Sequence, residues 1–371
     1  MYKGCLQQGL IGDLNMKSKI AVIIPVFNSE KYLEDCLRSV TDQTLKEIEV
    51  FCIDDGSIDN TASIISEFSN KDVRVKHILT EHYGPGHARN VGIAASNSEF
   101  IIFMDSDDIY PNDAVLEKLY NSALENDVQI CGGSWSELVE NDIITSFSDT
   151  GYVFRENGSV DYKDYQFDHG YHRFIYSSDM IKKNNITFPD YLRYQDPPFF
   201  VNAMVCANRF YALREPTYCR RVKEEDPFDN PRKITDLFLG LRNVFEFAEE
   251  HDLKDLRART ANRIEEHIPA ITRRVMVSGF EGIADLFLEL CSDVNGRTGH
   301  EFPSFLMMLI SDRIAGKRTF GNYIKLWKRG GCRLAPNIKT IYVIYDVKSD
   351  KGVRWYIRLF FSSLRKLINE K

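Results

Sequence analysis

The sequence predicts an α/β fold: a doubly wound, mostly parallel sheet with helices on both faces, followed by a mainly helical C-terminal region. Three observations lead there. Short apolar runs without alternation recur between residues 20 and 104, as strands buried on both faces require. Helical signals fill the intervals, which is the pattern of strand–helix–strand units. From Pro231 onward, apolar residues recur at helical spacing instead.

Strands are expected near Ile20–Val26, Glu49–Ile53, Val73–Leu79 and Phe100–Met104. The first helix has Asn28 and Ser29 as cap candidates and an apolar stripe of Tyr32, Leu33, Cys36, Leu37 and Val40. Another helix is expected from Pro111, a residue suited to a first turn, with Val115, Leu116, Leu119 and Leu124 turned inward. After Gln129-Ile130-Cys131 the pattern becomes irregular and aromatic, and loops with short strands are expected between Trp135 and Tyr176, shaping a substrate cleft. Ile234, Leu237, Phe238, Leu241, Val244 and Phe245 then mark a helix, and amphipathic stretches continue to about Lys328.

These signals divide the chain into a disordered leader at 1–18, a first domain at 19–222 with halves meeting at 125/126, a helical domain at 223–340 and a terminal segment at 341–371. The boundary falls between 222 and 232, where Lys223-Glu224-Glu225-Asp226-Pro227 and Pro231 break structure. The tail 353–371 mixes Trp355, Tyr356, Leu359 and Phe360 with Arg354, Arg358, Arg365 and Lys366, as a basic amphipathic helix does. Such a helix either lies on an anionic membrane surface or packs its apolar face on the helical domain or on another subunit of a homo-oligomer.

A net charge of −7 gives no overall electrostatic reason to bind nucleic acid. The 8 cysteines form no Cys-x-x-Cys pair, which suits a reducing cytosol. No run approaches the roughly 20 apolar residues of a membrane span, and the first residues lack a secretory signal's apolar centre. A cytoplasmic protein is expected, with 353–371 as a candidate for peripheral contact with the inner face of the cell membrane.

Asp105-Ser106-Asp107 follows the buried run Phe100–Met104, so two carboxylates stand where a strand reaches solvent. They either hold a hard divalent ion carrying phosphates or cap a following helix through Asp107 or Asp108. Three more segments fall at the same edge: Pro25-Val26-Phe27-Asn28, Asp54-Asp55-Gly56-Ser57-Ile58-Asp59, and the stretch from Gly84 to Gly92. Open sheets of this kind bind ligands there, beyond the carboxyl ends of their strands. Asp54 or Asp55 can accept hydrogen bonds from a nucleobase or ribose, and Arg89, near a helix start, can pair with a diphosphate. A nucleoside diphosphate with a metal is the ligand that uses all of these. Gly84-Pro85-Gly86 follows the third strand and lacks the third glycine of a dinucleotide-binding turn.

Ile23-Ile24-Pro25-Val26-Phe27-Asn28, Asp54-Asp55-Gly56-Ser57-x-Asp59, Ala88-Arg89-Asn90-x-Gly92 and Asp105-Ser106-Asp107-Asp108 together resemble, in order and spacing over 19–125, the inverting glycosyltransferase family 2, of GT-A fold. The resemblance implies that Asp54 and Asp55 contact the base and ribose of a nucleotide sugar, usually a UDP-sugar. It implies that the Asp105-Ser106-Asp107 stretch contacts ribose and a Mn2+ or Mg2+ ion, with Asp107 and Asp105 as the metal ligands. Pro25, Phe27 and Asn28 would border the nucleotide pocket, and Arg89 would lie near the diphosphate. The family's catalytic carboxylate matches Asp196 in Gln195-Asp196-Pro197-Pro198-Phe199-Phe200, although Gln195 stands where an acid is common. Asp196 is also placed to cap a helix that Pro197 would open, a role compatible with the catalytic one.

The implied function is metal-dependent, inverting transfer of a sugar from a nucleotide sugar to a saccharide or lipid-linked oligosaccharide acceptor, in capsule, exopolysaccharide or lipopolysaccharide synthesis. Two other classes stay open: a non-catalytic nucleotide-sugar-binding protein, and a nucleotidyltransferase. The latter would want a glycine-rich basic loop where Pro25-Val26-Phe27-Asn28-Ser29-Glu30 stands. His87, His169 and His172 are candidates for a further ligand or for structural hydrogen bonding, Trp135, Tyr171 and Tyr176 for sugar stacking or packing, and Arg173 for a donor or acceptor contact.

Overall fold

The computed structural model describes residues 17–139, 142–145, 151–222, 230–277 and 281–298. The expected leader up to residue 16, the helical stretch beyond 298 and the basic helix of 353–371 lie outside the described residues. The chain divides into two compact units, Met1–Glu225 and Asp226–Lys371.

The first unit begins with four strand–helix repeats: β1 (Ile20–Val26), α1 (Leu33–Thr41), β2 (Ile48–Asp54), α2 (Thr61–Lys71), β3 (Val75–Leu79), α3 (Pro85–Ala95), β4 (Phe100–Phe103) and α4 (Val115–Glu125). There follow β5 (Ile130–Val139), β6 (Asp142–Ile144), β7 (Gly158–Asp161), α5 (Tyr162–Tyr165), a 3-10 turn at Tyr171–Arg173, β8 (Phe174–Ser177), α6 (Ser178–Lys183), α7 (Asp196–Ala207) and β9 (Arg209–Arg221). The nine strands among the described residues join one sheet in the order β3-β2-β1-β4-β8-β5-β9-β7, with β6 paired to β5. Strands β1 to β4 are parallel, and β8 is antiparallel to both of its neighbours. Because β5 and β9 run parallel to each other beyond β8, they point toward the same edge at which β1, β2 and β4 end.

Both faces of β1 and β4 are covered, which is why these strands carry no polar alternation, whereas the edge strand β3 exposes Lys76 and His77. Ile20, Val22, Ile24 and Val26 join Leu33, Cys36, Leu37 and Val40 of α1 and Val115, Leu116 and Leu119 of α4 in one buried cluster. On the other face Phe103 packs against Tyr171, Tyr176, Phe188 and Phe199, with ring centroids 5.0 to 6.1 Å apart. Each such fully buried side chain contributes about 1.5–3 kcal/mol of transfer free energy.

Two helices differ from the sequence expectation. Helix α1 starts at Leu33, because Asn28 and Ser29 serve the neighbouring loop instead of capping it. Asn28 Oδ1 accepts from Ile58 N at 2.9 Å, and Ser29 N donates to Thr61 Oγ1 at 2.8 Å. Helix α4 starts at Val115 rather than Pro111, and Leu124 is exposed while Tyr120 and Ala123 are buried. A 3.6-residue period from Leu119 returns to the core at Ala123, one residue before Leu124. The stretch after Cys131 also departs from expectation: Trp135 lies in a ten-residue strand, β5.

In the second unit, α8 (Pro231–Glu250), α9 (Lys254–Val277) and α10 (Glu281–Thr298) follow one another. Asn230 Oδ1 caps α8 by accepting from Arg232 N at 2.9 Å, and Pro231 occupies its first turn. The stripe Ile234, Leu237, Phe238, Leu241, Val244 and Phe245 is buried, with Phe238 against Phe287 of α10 at 4.9 Å.

Candidate active site

The carboxyl edge of the sheet gathers the sequence motifs, and each residue in them has a distinct neighbour. Pro25 is buried within β1, while Phe27 just beyond it is exposed and stacks on His82 with centroids 4.1 Å apart. Asn28, at φ 48°, bridges to the next loop, its own N–H donating to Ser57 Oγ at 3.0 Å. Asp54 closes β2; its Oδ1 accepts from Ser57 N at 2.9 Å and its Oδ2 lies 3.3 Å from His77 Nε2. Asp55 accepts from Tyr83 N at 3.0 Å and Gly84 N at 2.8 Å, with His82 Nδ1 2.9 Å from Oδ2. That carboxylate fixes the loop leading into α3, whose N-cap Gly84 has φ 102° and so favours glycine.

Helix α3 then spends one motif on four contacts. Ala88 is buried, and Arg89 Nη2 donates to Asp105 Oδ1 at 2.7 Å. Asn90 exchanges hydrogen bonds with the Phe188 backbone at 2.8 and 2.9 Å, which ties α3 to the segment before α7. Gly92 sits directly on β1, where a Cβ would meet Ile23 Cγ2 at 2.4 Å.

Asp105 is held on both oxygens, by Arg89 and by His172 Nε2, 3.1 Å from Oδ2. Burial alone would raise its carboxyl, but His172 and Arg89 outweigh that and hold it well below the usual carboxylate range. Burial likewise opposes the charge on Arg89, and nearby Tyr171 and Asp105 overcome it, so the guanidinium stays protonated. Ser106 Oγ lies 2.7 Å from Ser29 Oγ, and the Asp107 carbonyl accepts from Arg221 Nε at 3.0 Å. Asp108 is buried, accepting from Tyr218 OH and from Arg221 N at 2.8 Å. Burial, and then the charges of Asp105 and Asp107, push its carboxyl up to about 7.

Asp196 is the first residue of α7, with Gln195 rather than Asp196 at the N-cap. It lines a cavity of about 560 Å³ together with Asp105, Asp108, Trp135, His172 and Arg220. Tyr171 and Tyr176 are fully buried and pack in the core. Arg173 is fully buried as well, donating to Gly133 O at 2.6 Å, Tyr152 O at 3.0 Å and Gly151 O at 3.1 Å. It is a structural clamp and not a ligand contact. His169 pairs with Asp168 at 2.9 Å, and His87 packs near Tyr83 with centroids 4.9 Å apart. Tyr218 and Arg221, which grip the Asp105–Asp108 turn from β9, had no signal in the sequence beyond the apolar–polar pattern of an ordinary strand.

Among the described residues, no three His, Cys, Asp or Glu side chains come together to hold a metal ion. A Mg2+ or Mn2+ ion needs no such cage, since it is commonly held by one or two carboxylates plus substrate phosphates, and the hard oxygens of Asp107 and Asp105 fit that chemistry.

Residues 21–183 match the family described as Glycosyl transferase family 2. This stretch is a family 2 glycosyltransferase domain. Among curated proteins, the chain is 26% identical over 231 residues to the uncharacterized glycosyltransferase EpsJ of Bacillus subtilis, covering 59% of this chain and 63% of that one. It is 31% identical over 215 residues to a poly(ribitol-phosphate) beta-glucosyltransferase of Bacillus spizizenii, covering 56% of this chain and 33% of that one. The chain thus spans less than two thirds of either relative. Among solved structures, Staphylococcus aureus TarS 1-349 in complex with UDP-GlcNAc aligns with a TM-score of 0.61 at 23% identity, over 80% of this chain and 87% of that one. The glycosyltransferase domain therefore has the GT-A fold, and Asp196 lies beyond its matched stretch.

Proposed function

We propose that the chain transfers a sugar from a nucleotide sugar, a UDP-sugar, to a saccharide acceptor in the synthesis of a bacterial surface polysaccharide, with inversion at the anomeric carbon. The observation that carries this reading is the joint presence of Asp105 and Asp196 in one cavity at the carboxyl edge of a family 2 domain. Asp196 takes the proton from an acceptor hydroxyl. That oxygen forms a bond to the anomeric carbon as the bond from this carbon to the diphosphate oxygen breaks, and the nucleoside diphosphate leaves. Asp54, Asp55 and Asn28 border the base and ribose, and Pro25, Phe27 and Ser106 complete the donor pocket. Asp107, with Asp105 beside it, would hold a Mn2+ or Mg2+ ion, which when bound neutralises charge on the leaving diphosphate. Arg89 adds positive charge behind Asp105.

The relatives' names support a polymeric acceptor and a UDP-sugar donor: one is a poly(ribitol-phosphate) beta-glucosyltransferase, and TarS was solved with UDP-GlcNAc. A lipid-linked acceptor presented at the inner membrane face fits the basic tail at 353–371. No helix among the described residues is long and apolar enough to cross a membrane.

A thermal-shift screen of nucleotide sugars with Mn2+, followed by assay of the released nucleotide, tests the reading. UDP release in the presence of an acceptor supports it. Release of pyrophosphate when UTP and a sugar 1-phosphate are supplied in place of the nucleotide sugar would instead mark a nucleotidyltransferase, and donor binding without turnover a nucleotide-sugar-binding protein.

A further inference from the structure

His172 carries none of the proposed chemistry, yet it is built into the donor edge from three sides. Its Nε2 lies 3.1 Å from Asp105 Oδ2, on the oxygen that Arg89 does not take. Its ring stacks on Tyr218, with centroids 4.7 Å apart at 26°, and meets Tyr171 at 3.9 Å. Its Nδ1 is buried with no hydrogen-bond partner among the described residues. Nε2 faces a carboxylate oxygen, which can only accept, so Nε2–H is the donor.

Tyr218, the stacking partner, also spans the turn: its hydroxyl accepts from Asp105 N at 3.3 Å and donates to Asp108 Oδ2. The imidazole is thus clamped between aromatic rings and cannot swing away from Asp105 without breaking that packing. With Arg89 on one oxygen and His172 on the other, the plane of the Asp105 carboxylate is fixed before any ligand arrives. Fixing a ligand-binding carboxylate through such outer partners is worth roughly 10–100-fold in metal affinity or activity.

We propose that His172 is a positioning residue of the donor site, acting through Asp105 to orient the Asp105-Ser106-Asp107 stretch toward the nucleotide diphosphate. The proposal rests on the reading of this edge as a nucleotide-sugar site.

The test uses the full chain and measures UDP binding by calorimetry, with and without Mn2+, alongside donor KM, kcat and the unfolding transition. His172→Ala should weaken UDP binding in Mn2+ by about 10–100-fold and raise the donor KM accordingly. His172→Gln, whose amide nitrogen reaches the place of Nε2, should recover most of that loss, which a purely space-filling role would not predict. A His172→Ala chain that binds UDP as the wild type does overturns the assignment, and so does a glutamine variant no better than alanine. Where the alanine variant loses its cooperative unfolding, the glutamine variant alone decides: wild-type-like UDP binding supports the donor role, and weak binding in a well-folded chain overturns it. A wild-type chain that binds no UDP overturns the donor-site reading, and this proposal with it.

Discussion

The Arg89 guanidinium is buried against Asp105, with Nη2 2.7 Å from Oδ1 and the Tyr171 and Phe188 rings each 5.4 Å from its centre. Its charge is therefore paired on one side and enclosed by aromatic faces on the others. Arg89→Met should leave Asp105 short of a partner and destabilise the chain by about 3 kcal/mol, the low end for breaking a buried pair because Asp105 is partly exposed and keeps His172. Urea denaturation of the two chains checks this, and an unchanged midpoint would rule out a structural role for the pair.

Asp55 tests the loop before α3. Its two oxygens accept from the Tyr83 and Gly84 amides, and an asparagine there can accept on one atom only. Asp55→Asn should destabilise by about 1–3 kcal/mol. Hydrogen exchange should speed up at Tyr83 and Gly84 first. Uniform exchange across the domain would contradict a local role.

Gly92 fixes how closely α3 approaches the sheet. A methyl group there meets Ile23 Cγ2 at 2.4 Å and Cγ1 at 3.0 Å, so Gly92→Ala must displace the helix or Ile23. The expected penalty is about 1–3 kcal/mol, read as a lowered melting temperature. Since Arg89 and Asn90 ride on the same helix, UDP binding should weaken in parallel.

Two substitutions separate chemistry from binding. Asp196→Asn should lower kcat by about 100- to 10,000-fold while leaving UDP affinity near the wild-type value. Asp107→Ala should instead raise the Mn2+ concentration needed for UDP binding. Transfer that survives the Asp196 change would remove it as the base.

Much of the parallel half was legible in the sequence because β1 and β4 are continuous apolar runs, and a strand buried on both faces leaves that mark. The acids at the ends of β2 and β4 were visible for the same reason: charge directly after such a run is conspicuous. The partners of those acids were not. His172 meets Asp105 across 67 residues of chain, and Tyr218 meets Asp108 across 110, distances at which no local period operates. Arg173 misled because an arginine in an aromatic stretch resembles a ligand contact, whereas three backbone carbonyls consume it. The cap of α1 misled because Asn28 and Ser29 find partners in the neighbouring loop.

The reversal of direction at β8 has a consequence for the order in which the protein is made. Strands β1 to β4 and their helices are local units that can close as they emerge from the ribosome, with the acids from Asp54 to Asp108 already made. The brace on Asp108 arrives much later, because Tyr218 and Arg221 lie on β9, at the far end of this unit. A nascent chain halted before Tyr218 thus already has Arg89 and His172 on Asp105, but it lacks the hydroxyl and the amide that hold Asp108, and β9, the last described strand of this unit, supplies both.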